Sequence, residues 1–153
     1  MRLQCSGFTI DDLIVPAFDV AEDEVVGLVL ESEFGDVWFQ LLRILSGQVR
    51  HPAVALATKA KLITSWRNSP RLFSPALTVL DFLLAEGLSD NDARDIIHRT
   101  GLKPDGAIEQ QGATDRMLLN LGMARVLGER MVVLTSAGLD PVAFFSLKNP
   151  FSS

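Results

Sequence analysis

The stretch EVVGLVL-ESEFG-DVWFQLLRILSG, Glu24 to Gly47, decides how this chain reads. Val25 to Leu30 is a continuous apolar run, the pattern of a strand buried on both faces beneath helices. Glu31 to Gly35 is polar and interrupts it. Asp36 to Leu45 then reads as a helix, with Asp36 as its expected cap and Gly47 as its C-terminal stop.

On the N-terminal side, Leu3 to Ile10 alternates in part and reads as an edge strand. Asp11 and Asp12 supply a turn, and Leu13 to Val20 is a second strand whose Pro16 argues for an edge or a bulge. On the C-terminal side, Val54 to Ala57 and Leu62 to Trp66 are short strand candidates, and Arg67 to Pro75 is a polar, proline-containing loop. Ala76 to Glu86 places Leu77, Leu80, Leu83 and Leu84 at helical spacing. Ser89 to Thr100 opens with Ser89 and Asp92, a capping-box-like pair, and stops at Gly101. Thr114 to Leu127 is a third helix, expected to be capped by Thr114. Arg130 to Leu134 is another buried-strand candidate. Asp140 and Pro141 begin a last helix through Leu147, and Asn149 to Ser153 reads as a frayed tail. Antiparallel strands first, then strands alternating with helices, predict a mixed sheet covered on at least one face.

The 153 residues fit one domain. A 48% apolar and 22% charged composition is globular rather than disordered. A single cysteine, Cys5, excludes an intrachain disulfide and suits a reducing, cytoplasmic compartment. With 19 acids against 14 bases the net charge is -5, and no basic stripe exists for nucleic acid. No apolar run approaches the ~20 residues of a membrane span. Gln4, Ser6, Asp11 and Asp12 interrupt any signal-peptide pattern at the N-terminus.

Several short strings, taken in order, resemble the ATP-binding-cassette (ABC) ATPase domain. EVVGLVL (Glu24 to Leu30) resembles the strand entering that family's phosphate-binding loop, and LLRILSG (Leu41 to Gly47) the helix after it. LFSPALTVLDFLL (Leu72 to Leu84) resembles the segment after the glutamine loop. ARVL (Ala124 to Leu127) resembles the end of the signature helix, and MVVLTSAGLDP (Met131 to Pro141) the second acidic strand running into the D-loop. The pieces cover nearly the whole chain. The resemblance implies a reduced, ABC-ATPase-like α/β domain of the P-loop NTPase type over residues 1–153. Its sheet would be mainly parallel, with antiparallel N-terminal strands and a short helical insert.

The chemistry of that family is a different matter. A phosphate-binding loop needs glycines whose backbone N–H groups wrap the phosphates, a lysine, and a Ser/Thr hydroxyl for magnesium. The corresponding positions here are Glu31, Ser32, Glu33, Phe34, Gly35, Asp36, Val37, Trp38, Phe39 and Gln40, with one glycine, three acids and no lysine. Carboxylates beside a triphosphate repel it. Asp36 and Glu33 read instead as internal caps standing where phosphate would. The second acidic strand should end in Asp-Glu, for magnesium and the attacking water; Val133-Leu134-Thr135-Ser136 stands there. Ser65 and Trp66 fall where the glutamine would be, Gly112 to Arg116 is not the signature motif, and no switch histidine follows the D-loop string. The string Gly138-Leu139-Asp140-Pro141 does survive, and in the family that segment lies where two nucleotide domains meet.

Elsewhere, His51 and His98 lie far apart and no cluster has metal spacing. Ser136 lacks a nucleophile-elbow context. Asp90, Asp92 and Asp95 read as helix-start charges, and Trp38 as a packing residue. These readings add up to a catalytically inactive pseudo-ATPase with no cofactor or metal, acting by protein–protein binding. The expected partner is a second copy, an active ABC subunit or a membrane permease, with neither nucleic acid nor direct membrane insertion. The alternative is an atypical nucleotide-binding subunit of an ABC transporter that still binds ATP. A third reading is a small-molecule sensor that reuses the vacated cleft around Phe34 to Phe39.

Overall fold

Alternating side chains and a two-residue turn bring the N-terminal strands together. In the computed structural model, which describes residues 2–22, 24–29, 35–63 and 77–135, β1 (Leu3–Ile10) and β2 (Leu13–Val20) form an antiparallel hairpin. Asp11 closes it at φ 48, a left-handed conformation that Asp tolerates better than most side chains. The register runs from Leu3 opposite Val20 to Ile10 opposite Leu13. β3 (Val54–Leu56) pairs with the other side of β1, so the sheet order is β2-β1-β3. β1 is therefore a central strand, not the edge strand its sequence suggests. Its second partner is too short and too distant in sequence to announce itself. β2, with Pro16, is the edge.

The buried face of the hairpin changes parity midway. Leu3, Cys5, Leu13 and Val15 are buried, and so is Ile10, an odd number of residues from Cys5. Half-buried Phe8, Phe18 and Val20 pack on the same core. The switch occurs at Gly7, which takes φ +84, and at Pro16 across from it. A Cβ on Gly7 would stand 3.2 Å from Ala17 N and 3.3 Å from Val15 O, so only glycine fits this crossing. Both strands shift by one residue together, and the pairing stays in step.

β4 (Lys61–Ile63) and β5 (Val132–Leu134) form a small parallel sheet. Lys61 N–H donates to Met131 O at 2.9 Å. The fold is thus mixed α/β, and among the described residues the parallel part is this one pair. α1 (Asp36–Leu45) lies against β5 and buries Leu41, Leu42, Ile44 and Leu45. Arg2, beside β1, donates to Glu22 just past β2 and to the Arg130 carbonyl ahead of β5, tying these ends together. Residues through Leu62 with Arg130–Thr135 make one compact unit, and the described residues from Ile63 through Glu129 make a second.

The second unit is helical. α2 (Val79–Ala85), α3 (Asp90–Thr100) and α4 (Ala113–Val126) bury Val79, Leu83, Ala93, Ile96, Ile97, Leu119 and Met123 in their own core. α3 and α4 approach closely at Gly122, where a Cβ would stand 3.0 Å from Ile96 Cγ2. A 3₁₀ turn at Ile108–Gln110 has no signal in the sequence. It is held from a distance, by Ile108 N–H donating to Leu77 O at 3.0 Å. The same loop seals the start of α2: Val79 N–H donates to Gly106 O at 2.8 Å and Leu80 N–H to Pro104 O at 3.0 Å. Helix N–H groups that lack an intrahelical partner are satisfied by this loop instead. Among the described residues, no helix is long and apolar enough to cross a membrane.

Candidate functional site

The expected site starts at the apolar run before α1. Its described residues, 25–29, are not a strand in the structure. Val25 and Val29 are 88% and 97% exposed, while Val26 and Leu28 are half-buried and Leu28 packs on the first core. The expected two-faced burial is corrected to one-faced cover. An unbroken apolar sequence reports hydrophobicity but not how many faces the fold will cover. Glu31, Ser32, Glu33 and Phe34 lie outside the described residues.

α1 begins at Gly35, not with an Asp36 cap. Gly35 is extended (φ -172, ψ -157) and makes no side-chain cap hydrogen bond. Its carbonyl accepts from Trp38 N–H at 3.0 Å and Phe39 N–H at 3.3 Å. Asp36 falls one residue inside the helix, exposed in the first turn, where its charge complements the helix dipole without a capping bond. Val37 and Trp38 are half-buried against the first core, so Trp38 packs as its helical context suggests. Phe39 and Gln40 are exposed. The far end closes as expected: Gly47 takes φ +77 and donates to Ile44 O at 3.0 Å. A Cβ there would stand 2.7 Å from Leu56 Cδ1.

α4, at the signature-like position, starts the same way. Its cap is Gly112, again without a side-chain hydrogen bond, so the expected Thr114 cap is corrected; Thr114 sits inside the first turn. The residue missed from sequence is Arg116. Its Nε is buried and makes no hydrogen bond among the described residues, although its carbonyl accepts from Asn120 Nδ2 at 2.7 Å. Nothing in the local sequence separates such an arginine from a solvated one.

The starts of α2 and α3 are built differently. Thr78 Oγ1 accepts from Asp81 N–H at 3.1 Å and donates to the Asp81 carboxylate at 2.8 Å. Ser89 and Asp92 repeat the arrangement at 3.1 and 2.6 Å. Asp90 and Asp95 pair with Arg94 and Arg99 along the exposed face of α3. These acids cap and solvate a helix, as their positions in the sequence suggest.

Among the described residues no three His, Cys, Asp or Glu side chains come together as a metal site. The D-loop-like residues Gly138, Leu139, Asp140 and Pro141, the last helix and tail expected from there on, and Trp66 lie outside the described residues. No family model, curated protein or solved structure matches the chain.

Proposed function

We propose that this chain is a degenerate ABC-ATPase-like domain of P-loop type that does not hydrolyse nucleotide and acts by binding protein. The observation that carries this reading is the start of α1. At the helix end that would face phosphate, the exposed first-turn charge is the Asp36 carboxylate, and no lysine precedes Lys59 in the chain. A carboxylate satisfies the helix dipole that would otherwise attract a phosphate. The exposed valines Val25 and Val29, just upstream, offer apolar surface for a protein partner. The partner that fits the resemblance is a second copy or a component of an ABC transporter.

Two features support the family reading itself. The N-terminal strands are antiparallel and are followed by a parallel pair. The helices that resemble the phosphate-loop and signature helices, α1 and α4, both begin on glycines without side-chain caps, while α2 and α3 carry their own.

Calorimetry with magnesium-ATP tests the reading: no heat is expected at millimolar nucleotide. Light scattering should show a concentration-dependent dimer that Val25→Glu with Val29→Glu weakens. A wild-type monomer that captures no ABC component would count against it. The Gly35 start favours the alternative, an atypical subunit that still binds ATP, because a glycine cap supplies no side-chain acceptor to the start of α1. Measurable ATP affinity would establish that alternative.

A further inference from the structure

The turn leading into β3 contains a histidine side-chain contact with the backbone. Val54 N–H donates to His51 O at 3.0 Å, closing a β-turn with Pro52 at its second position. Proline suits that position because its φ is preset. The first position of such turns favours Asp, Asn or Ser, whose side chains accept the N–H two residues on. Here His51 plays that part: Ala53 N–H donates to His51 Nδ1 at 3.2 Å. The imidazole also lies on the Phe8 ring, with centroids 4.1 Å apart and planes 30° from parallel. The turn is coupled to the sheet through one carbonyl. Ala53 O accepts from Ser6 N–H at 2.9 Å and from Ser6 Oγ at 3.3 Å, extending the β1–β3 ladder past Cys5 and Val54.

We propose that His51 is a proton-operated catch on the β1–β3 pairing: its unprotonated Nδ1 holds the turn, and protonation releases it. A backbone N–H can only donate, so Nδ1 must accept, which places the neutral ring's proton on Nε2. A proton on Nδ1 would face the Ala53 N–H as donor against donor. The turn must then move, and the Ala53 carbonyl moves with it, away from Ser6. Arg50 is the neighbouring charge on the same segment. From β1 the titratable side chain is the buried Cys5 thiol, and β3 contributes none. Asp11 and Asp12, in the hairpin turn, are exposed, and among the described residues no carboxylate pairs with the ring.

Amide exchange by NMR, expressed as protection relative to the free peptide, tests the catch. In the wild type, protection of Ala53 and Ser6 should fall roughly fivefold or more between pH 7.5 and 5, the weight of one hydrogen bond. His51→Asn keeps an acceptor in the same place but does not titrate, and should stay protected at both pH values. His51→Phe keeps the ring on Phe8 but loses the acceptor, and should be unprotected at both. Imidazole ¹⁵N shifts of the wild type should show the Nε2–H tautomer at pH 7.5. A pH-independent wild type, a pH-dependent His51→Asn, or a protonated Nδ1 at pH 7.5 would each overturn the proposal.

Discussion

α3 and α1 are close in length and solve the same problem in opposite ways. α3 begins with a reciprocal Ser89–Asp92 cap and ends at Gly101, so both termini are specified by residues within or beside the helix. α1 begins at a glycine with no side-chain cap and depends on burying Leu41, Leu42, Ile44 and Leu45. A helix whose ends are locally satisfied can be read from its own sequence. One held by packing has a start set by what surrounds it. The contrast does not divide along the two units: α4, in the helical unit, also starts on a glycine without a side-chain cap, and α2 there is sealed by a loop far along the chain.

Breaking the cores gives the largest effects. Leu83→Ala, at a fully buried position of the helical unit, should cost about 2–5 kcal/mol in urea unfolding, and Leu41→Ala in the first unit a similar amount. Hydrogen exchange would then sharpen the contrast, with Leu83→Ala exposing the amides of α2–α4 first. The C-terminal glycines come next. Gly47→Ala meets both a positive φ and the Leu56 methyl, and should lose about 2–3 kcal/mol. Gly101→Ala has the same backbone strain (φ +71) but open space around it, and should lose about 1 kcal/mol. Equal losses would show that Leu56 yields freely.

Caps are smaller still. Ser89→Ala should lower stability by about 1 kcal/mol, whereas Gly35→Ser, at an extended residue with no atom of the described residues near its Cβ direction, should raise it by a few tenths. If Gly35→Ser destabilised the protein, the start of α1 would not be uncapped in solution. The smallest effect is electrostatic. The Arg2 guanidinium, by hydrogen bond and charge, holds the Glu22 carboxyl below its usual value. A depressed carboxylate contributes stability that is present above its unfolded pKa and lost as pH falls through the folded one. Glu22→Gln should therefore flatten the acid end of the stability–pH curve slightly. Added salt should do the same to the wild type, because the pair is solvent-exposed.

What was legible follows physical range. The limits of α1 could be read because an acidic start and a glycine stop bracket a leucine-rich run. The Ser89–Asp92 box could be read because both partners lie within one turn. β1 as a central strand, the 3₁₀ turn at Ile108 and the sealing of α2 by Pro104 and Gly106 could not, since each depends on a hydrogen bond between residues far apart in sequence. Val25 to Leu30 misled for a related reason: its composition matches a doubly covered strand, but cover is supplied by other parts of the fold. Of the expected site, Gly35, Asp36, Trp38, Phe39 and Gln40 can be placed, and Asp36 missed the cap by one residue. Its local letters fit either position, and the extended conformation of Gly35 decides between them.

The paired switch at Gly7 and Pro16 limits how this gene can drift. Deleting one residue from either strand alone would turn half of that strand's core side chains toward water while its partner's stayed inside. Length changes here can survive only in matched couples, one per strand. Related chains that differ at this hairpin should therefore keep its total length even, with gaps facing each other across the turn rather than falling singly.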